Sequence, residues 1–278
     1  FTEIHDATVA NVDITNSSVS GRYDVGILAG SNSEGGVIRN VSTGGTVVGA
    51  DNVGGIIGYN IDSGVVTQSS SSASIAVSPA DRDTPRAGGL VGGNYDGAII
   101  NQSYAIGDVD GVGRAGGLLG ENFNNSRVAY SYATGSVNGS EYITGGLVGG
   151  NYRGSTVTLS YWDTNTSGLS TSAGDATGLT TAQMTGETAE TNMSGLNFNS
   201  VWQTQPDGYP VLTQETSISD GGTTVPPEIR GDVSDEQYAA VLDGDDTLAA
   251  SNLADAINGW ADNGKVNGTD IGAFELSK

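Results

Sequence analysis

Two groupings of residues have the types and spacing that could do chemistry. The first is the Gly-rich run "AGGLVGGN" at 87–94, which returns as "AGGLLGEN" at 115–122 and "TGGLVGGN" at 144–151. Weaker copies are "VGGIIGYN" at 53–60 and "VGILAGSN" at 25–32. One such run suggests a phosphate cradle. That cradle needs a strand, a Gly-rich turn and then a helix N-terminus, and no helical pattern follows any copy. The second grouping is Asp108 and Asp110, two apart and so on one face of a strand, as a carboxylate pair acting on polysaccharide would require. On a chain with 32 acidic residues, two solvated charges is the simpler explanation. His5 is the single histidine and there is no cysteine. No nucleophile elbow or zinc-protease spacing occurs. The sequence reads as scaffold and not as catalyst.

Composition supports that view. The chain has 278 residues, of which 36% are hydrophobic and 44 are Gly, so its core must be thin. The net charge is −22, and only two lysines, Lys265 and Lys278, stand against 22 aspartates. Such a surface repels nucleic acid and anionic lipid and keeps the chain soluble where salt screens repulsion. This Asp-rich, Lys-poor balance is similar to that of proteins from salt-loving archaea. No apolar run approaches the 18 or so residues of a membrane span. The start at Phe1 falls inside a pattern, as expected of a processed or trimmed chain.

The elements that position these residues are repeats. The Gly-rich runs begin at 25, 53, 87, 115 and 144, at intervals of 28, 34, 28 and 29 residues. A second motif keeps the same phase: "IRNVSTGGTV" at 38, "VTQSSSSASI" at 66, "INQSYAIGDV" at 100, "VAYSYATGSV" at 128 and "VTLSYWDTNT" at 157. A period of this length indicates a solenoid or array. The units are rich in Val, Ile, Thr, Ser and Tyr, with short apolar runs bounded by Gly, Asn and Asp, which is strand and turn chemistry. The expected fold is all-β: a β-solenoid of about 28-residue coils with two or three strands per coil, plus a small α-helical C-terminal module. Asn32, Asn60, Asn94, Asn122 and Asn151 then form one column, able to hydrogen-bond as an Asn ladder.

The "GGLVGxN" copies, alternating with "SYATGSV" segments, resemble GLUG-motif repeats. "SYWDTNTSGLSTSAGDATGLTTAQM" and "VWQTQPDGYPVL" resemble the segment that closes such arrays. The resemblance spans roughly residues 1–213. It implies a large surface or secreted protein concerned with display and adhesion, more than it implies a mechanism.

The expected organisation is a solenoid over 1–164, a cap over 165–213, a Pro/Gly/Ser/Thr linker over 214–232 and an acidic helical module over 233–278. Trp162, Trp202, Tyr209 and Pro210 lie in or beside the cap, as capping residues or a sugar-stacking surface. The linker holds an "RGD" triplet, Arg230 to Asp232, for which chance is sufficient. The long interval carries the polar insertion "SPADRDTPR", whose Arg82 and Arg86 are candidate partner contacts. The C-terminal module resembles a degenerate dockerin-type pair of calcium loops, which implies Asp243, Asp245, Thr247, Asn263 and Asp270 as oxygen ligands. Both loops depart from the pattern, with Val241, Asn252, Gly259 and Ala261 at ligand positions. A metal-free helical module is the favoured form, and calcium is the one cofactor implied. Eight Asn-x-Ser/Thr sites, Asn16, Asn40, Asn101, Asn124, Asn138, Asn165, Asn192 and Asn267, are candidates for N-glycosylation on an exported chain. The expected partners are copies of itself, other cell-surface proteins or glycans, outside the cell. The function expected is a structural or adhesive rod, with a carbohydrate-binding or carbohydrate-cleaving β-helix as the alternative.

Overall fold

The computed structural model describes residues 1–78, 85–139 and 143–213, together with two short strands, Lys265–Val266 and Thr269–Asp270. The described residues up to 163 wind into a β-solenoid whose strands pair in parallel from coil to coil, in three sheets of six, fourteen and five strands, the last of the fourteen being Thr177–Leu179. The register repeats the sequence period. Asn32 pairs with Asn60, Asn60 with Asn94, Asn94 with Asn122 and Asn122 with Asn151. The 34-residue interval leaves the register on either side of it intact. Val77 still pairs with Gly49, while Ala87 pairs with Val53, so the extra residues lie between them.

Each central coil contains five short strands, more than the two or three expected. One coil runs Arg86–Gly88, Val91–Tyr95, Ile99–Asn101, Tyr104–Ala105 and Val109–Asp110. Corners interrupt the pairing that many times. In the first two coils, Thr8–Ser20 and Val37–Gly49 are unbroken through a corner. That continuity joins what would be separate faces into the fourteen-stranded sheet.

Leu28, Ile56, Leu90, Leu118 and Leu147 stack in the interior beside Ala29, Ile57, Val91, Leu119 and Val148, all buried. The thin apolar content suffices because every coil buries the same few positions against its neighbours. Gly55, Gly89, Gly117 and Gly146 mark where backbone crosses that stack. A Cβ on Gly89 would lie 2.2 Å from the Gly117 carbonyl oxygen, and one on Gly117 would lie 2.4 Å from that of Gly146. Only Gly fits there.

The chain then turns back over the last coils. Thr177–Leu179 adds to the strand Tyr161–Asp163, extending the stack at its C-terminal end. Residues 181–212 lie on the side of the rod. Met184, Met193, Leu196, Val201, Trp202 and Leu212 pack on the outward rings of Tyr104, Tyr132 and Tyr161. Among the described residues, no helix is long and apolar enough to cross a membrane.

Candidate functional site

The Asn column is a continuous ladder. Nδ2 of Asn32, Asn60, Asn94 and Asn122 donates to Oδ1 of the next Asn at 2.9, 2.8, 2.8 and 2.9 Å. The first four residues are fully buried. Each Nδ2 also donates to the carbonyl four residues on: Gly36, Gly64, Ala98, Ser126 and, from Asn151, Ser155. That second bond closes a tight turn. In Tyr95–Ala98 the central Asp96 and Gly97 both have positive φ, and the Ala98 amide donates to the Tyr95 carbonyl at 3.1 Å. Glu34–Gly35, Asp62–Ser63, Asn124–Asn125 and Arg153–Gly154 repeat the pair of positive φ values. A turn of this kind favours Asn, Asp and Gly. The Asn therefore serves its own corner and both neighbouring coils.

A second ladder is made of serines. The Oγ atoms of Ser69, Ser103, Ser131 and Ser160 accept from the backbone amides of Val41, Ser69, Ser103 and Ser131 at 3.1–3.2 Å. Each Oγ donates to the carbonyl two residues before it, at 2.8–2.9 Å. The signal was the Ser at the fourth position of the last four second motifs. The residue before each, Gln68, Gln102, Tyr130 or Leu159, has a φ of 46–53°.

The outer face of coils three to five holds a charged cluster. Glu121 and Asp51 are buried, with 3% and 2% of their surface exposed. Arg86 Nε donates to Glu121 Oε2 at 2.5 Å, and Arg86 Nη1 lies 3.2 Å from Asp51 Oδ1. Arg114 Nε stands 3.1 Å from Glu121 Oε1 as an ion pair without hydrogen-bond alignment. The Tyr95 hydroxyl also donates to Glu121. Burial opposes the Arg86 charge, but the Glu121 hydrogen bond and the adjacent acids outweigh it and hold the guanidinium above its usual range. Burial, then the Glu121 bond, pushes the Tyr95 phenol up. Arg86, expected as a partner contact, thus has acidic partners inside the fold. Arg82 lies outside the described residues. The "GEN" of the second strong copy, in place of "GGN", marks Glu121, although nothing local marks its partners.

The remaining expected residues are dispersed. Asp108 and Asp110 are both exposed. Asp108 Oδ1 accepts from the backbone amide and hydroxyl of Ser136 on the next coil, at 2.9 and 2.7 Å, a structural use. His5 Nδ1 lies 3.2 Å from Ser33 Oγ on the first strand. Of the glycosylation candidates, Asn16, Asn138 and Asn165 are exposed. Asn40 donates to Asn11, Asn124 to Asp96, and Asn192 to the Gln183 and Thr188 carbonyls. Asn101 is half-buried, and its sequon Ser103 belongs to the buried Ser ladder. Asp243, Asp245, Thr247, Asn263 and Asn267 lie outside the described residues. The backbone of Asp270 pairs antiparallel with Lys265.

Fold and ladders define a parallel β-solenoid of about 28-residue coils, stacked through buried polar columns. The family model for the GLUG motif matches residues 111–138, the length of one coil. Halomucin of Haloquadratum walsbyi (strain DSM 16790 / HBSQ001) is 38% identical over 105 residues, covering 36% of this chain. The match covers 1% of halomucin, so the chain spans a very small part of that curated relative.

Proposed function

We propose that this chain is an extracellular, cell-surface structural module: a stiff, acidic rod that mediates attachment or assembly and performs no catalysis. The observation behind this reading is the pair of buried ladders running through consecutive coils. From the second coil on, each coil is fastened to the next by the backbone sheets and by Asn and Ser side chains, so bending the rod would break many bonds at once. The likeness to halomucin and the GLUG motif supports a surface location. The charge of −22 suits salt-rich surroundings and disfavours nucleic acid. The partners proposed are further copies, other surface proteins or glycans. Electron microscopy of the purified full chain, with immunogold labelling of intact source cells, tests the reading. Rods or filaments and surface label are expected. Flexible particles or label confined to the cell interior would refute it.

A further inference from the structure

One column on the outside of the solenoid changes character halfway along. Asp13, Ser42, Ser70, Tyr104, Tyr132 and Tyr161 stand over one another in register. The three tyrosines lie beneath the cap, with Tyr104 and Tyr132 stacked at 5.0 Å and Trp202 tilted against both. The cap stops there. Beyond it the column turns small and polar, leaving a groove of about 290 Å³ lined by Asp13, Ser42, Ser70, Ser72, Tyr104 and Ile106.

Three observations give this groove a chemical preference. Its floor is hydroxyl-rich, with Ser42 hydrogen-bonded to the Asp13 carboxylate. The Asp13 Oδ1 atom is buried and has no hydrogen-bond partner. An unpartnered buried oxygen gains from any donor that reaches it, and the soft Cβ–Cγ torsion lets a small turn bring it toward the groove that Asp13 lines. Apolar surface adjoins these polar groups at the Tyr104 ring and at Ile106, which is 45% exposed. Hydroxyl donors and acceptors, one carboxylate and a small apolar wall match a sugar ring with its OH groups and C–H face. No cationic side chain lines the groove, and the chain is strongly acidic, so an anionic ligand is disfavoured.

We propose that the Asp13–Tyr104 groove binds a neutral sugar residue of a glycan. This inference rests on the surface reading above and gives the rod a point of contact. The Asp13 carboxyl fits it: burial raises its pKa, so its ionised form is held at a cost that a hydroxyl donor from a bound sugar would offset.

The test is retention of the labelled full-length chain on a printed array of neutral and uronate-terminated oligosaccharides, followed by calorimetric titration of the best-retained neutral sugar. Two variants accompany it. Ser70→Tyr extends the Tyr104–Tyr132 stack by one ring and fills the groove, using the residue that the following coils already carry there. Asp13→Asn keeps the shape and removes the carboxylate. Retention of neutral sugars is expected, with about tenfold or greater loss in each variant, in line with leaving buried sugar hydroxyls unpaired. Circular dichroism and electron microscopy of both variants should still show folded rods, which separates failure of the groove from failure of the rod. No retained sugar, retention of uronates alone, or affinity unchanged in either folded variant would overturn the proposal.

Discussion

The Tyr132 hydroxyl donates to the Pro210 carbonyl at 2.5 Å, across 78 residues of sequence. This bond ties the side of the solenoid to the returning segment. Tyr132 is fully buried, so Tyr132→Phe leaves that carbonyl without this donor while preserving the ring stack. The expected cost is about 1–2 kcal/mol. Hydrogen exchange should localise it: amides of 195–212 exchange faster, while those of the Asn ladder strands keep their protection.

Asn94 accepts from Asn60 and donates to Asn122 and to the Ala98 carbonyl. Asn94→Ala strands the buried Oδ1 of Asn122 and loosens the turn at Ala98. A loss of about 3 kcal/mol is expected from the cavity and the orphaned acceptor together. The exposed Asn138→Ala, at a position without positive φ, should stay within about 0.5 kcal/mol. Denaturant midpoints of the two variants provide the comparison, and equal midpoints would remove the ladder's energetic role.

Tyr209 donates to Asp163 Oδ2 at 2.6 Å. Burial, then the Asp163 bond and charge, pushes its phenol up from 10.0 to about 12. A raised folded pKa means that this contribution to stability is complete below pH 10.0 and lost as pH rises through about 12. Tyr209→Phe should therefore flatten the fall in melting temperature across that window. A profile parallel to the parent's would show that Tyr209 does not set it.

Glu121→Gln provides a test with opposite signs. Were Glu121 one more solvated acid on a chain of charge −22, its removal would relieve repulsion and stabilise the fold. Instead it balances Arg86 and Arg114 while buried. Neutralising it should destabilise by about 3 kcal/mol. High salt should not restore the loss, because buried pairs are poorly screened. Thermal unfolding at low and high salt distinguishes the two cases.

The coil and its Asn column were legible because a solenoid maps one sequence position onto one spatial column. Five copies of Asn in phase, from Asn32 to Asn151, are hard to explain otherwise. The number of strands per coil was not legible. The corner before the Ser ladder is made by Asn40, Gln68, Gln102, Tyr130 and Leu159, all at positive φ, and those side chains share no common chemistry. Neighbouring coils impose the conformation more than local preference does. The Arg86–Glu121 pair was hidden for another reason: its partners are 35 residues apart and lie off the repeat period. The cap's place on the side of the rod rests on Trp202 and Met184 meeting Tyr104, Tyr132 and Tyr161, an aperiodic packing that leaves no pattern to read.

The four Asn-to-Asn bonds also give the rod a direction. In every one the donor belongs to the earlier coil and the acceptor to the later. The amide dipoles therefore add instead of cancelling, and each polarises the next. The series terminates at Asn32, whose Oδ1 finds no donor because Ile4 occupies the preceding place. The rod is electrically a vector, with unlike ends. A coil inserted backwards would oppose the series, while one inserted in the native sense would lengthen it, so this architecture can grow by duplication in a single orientation only.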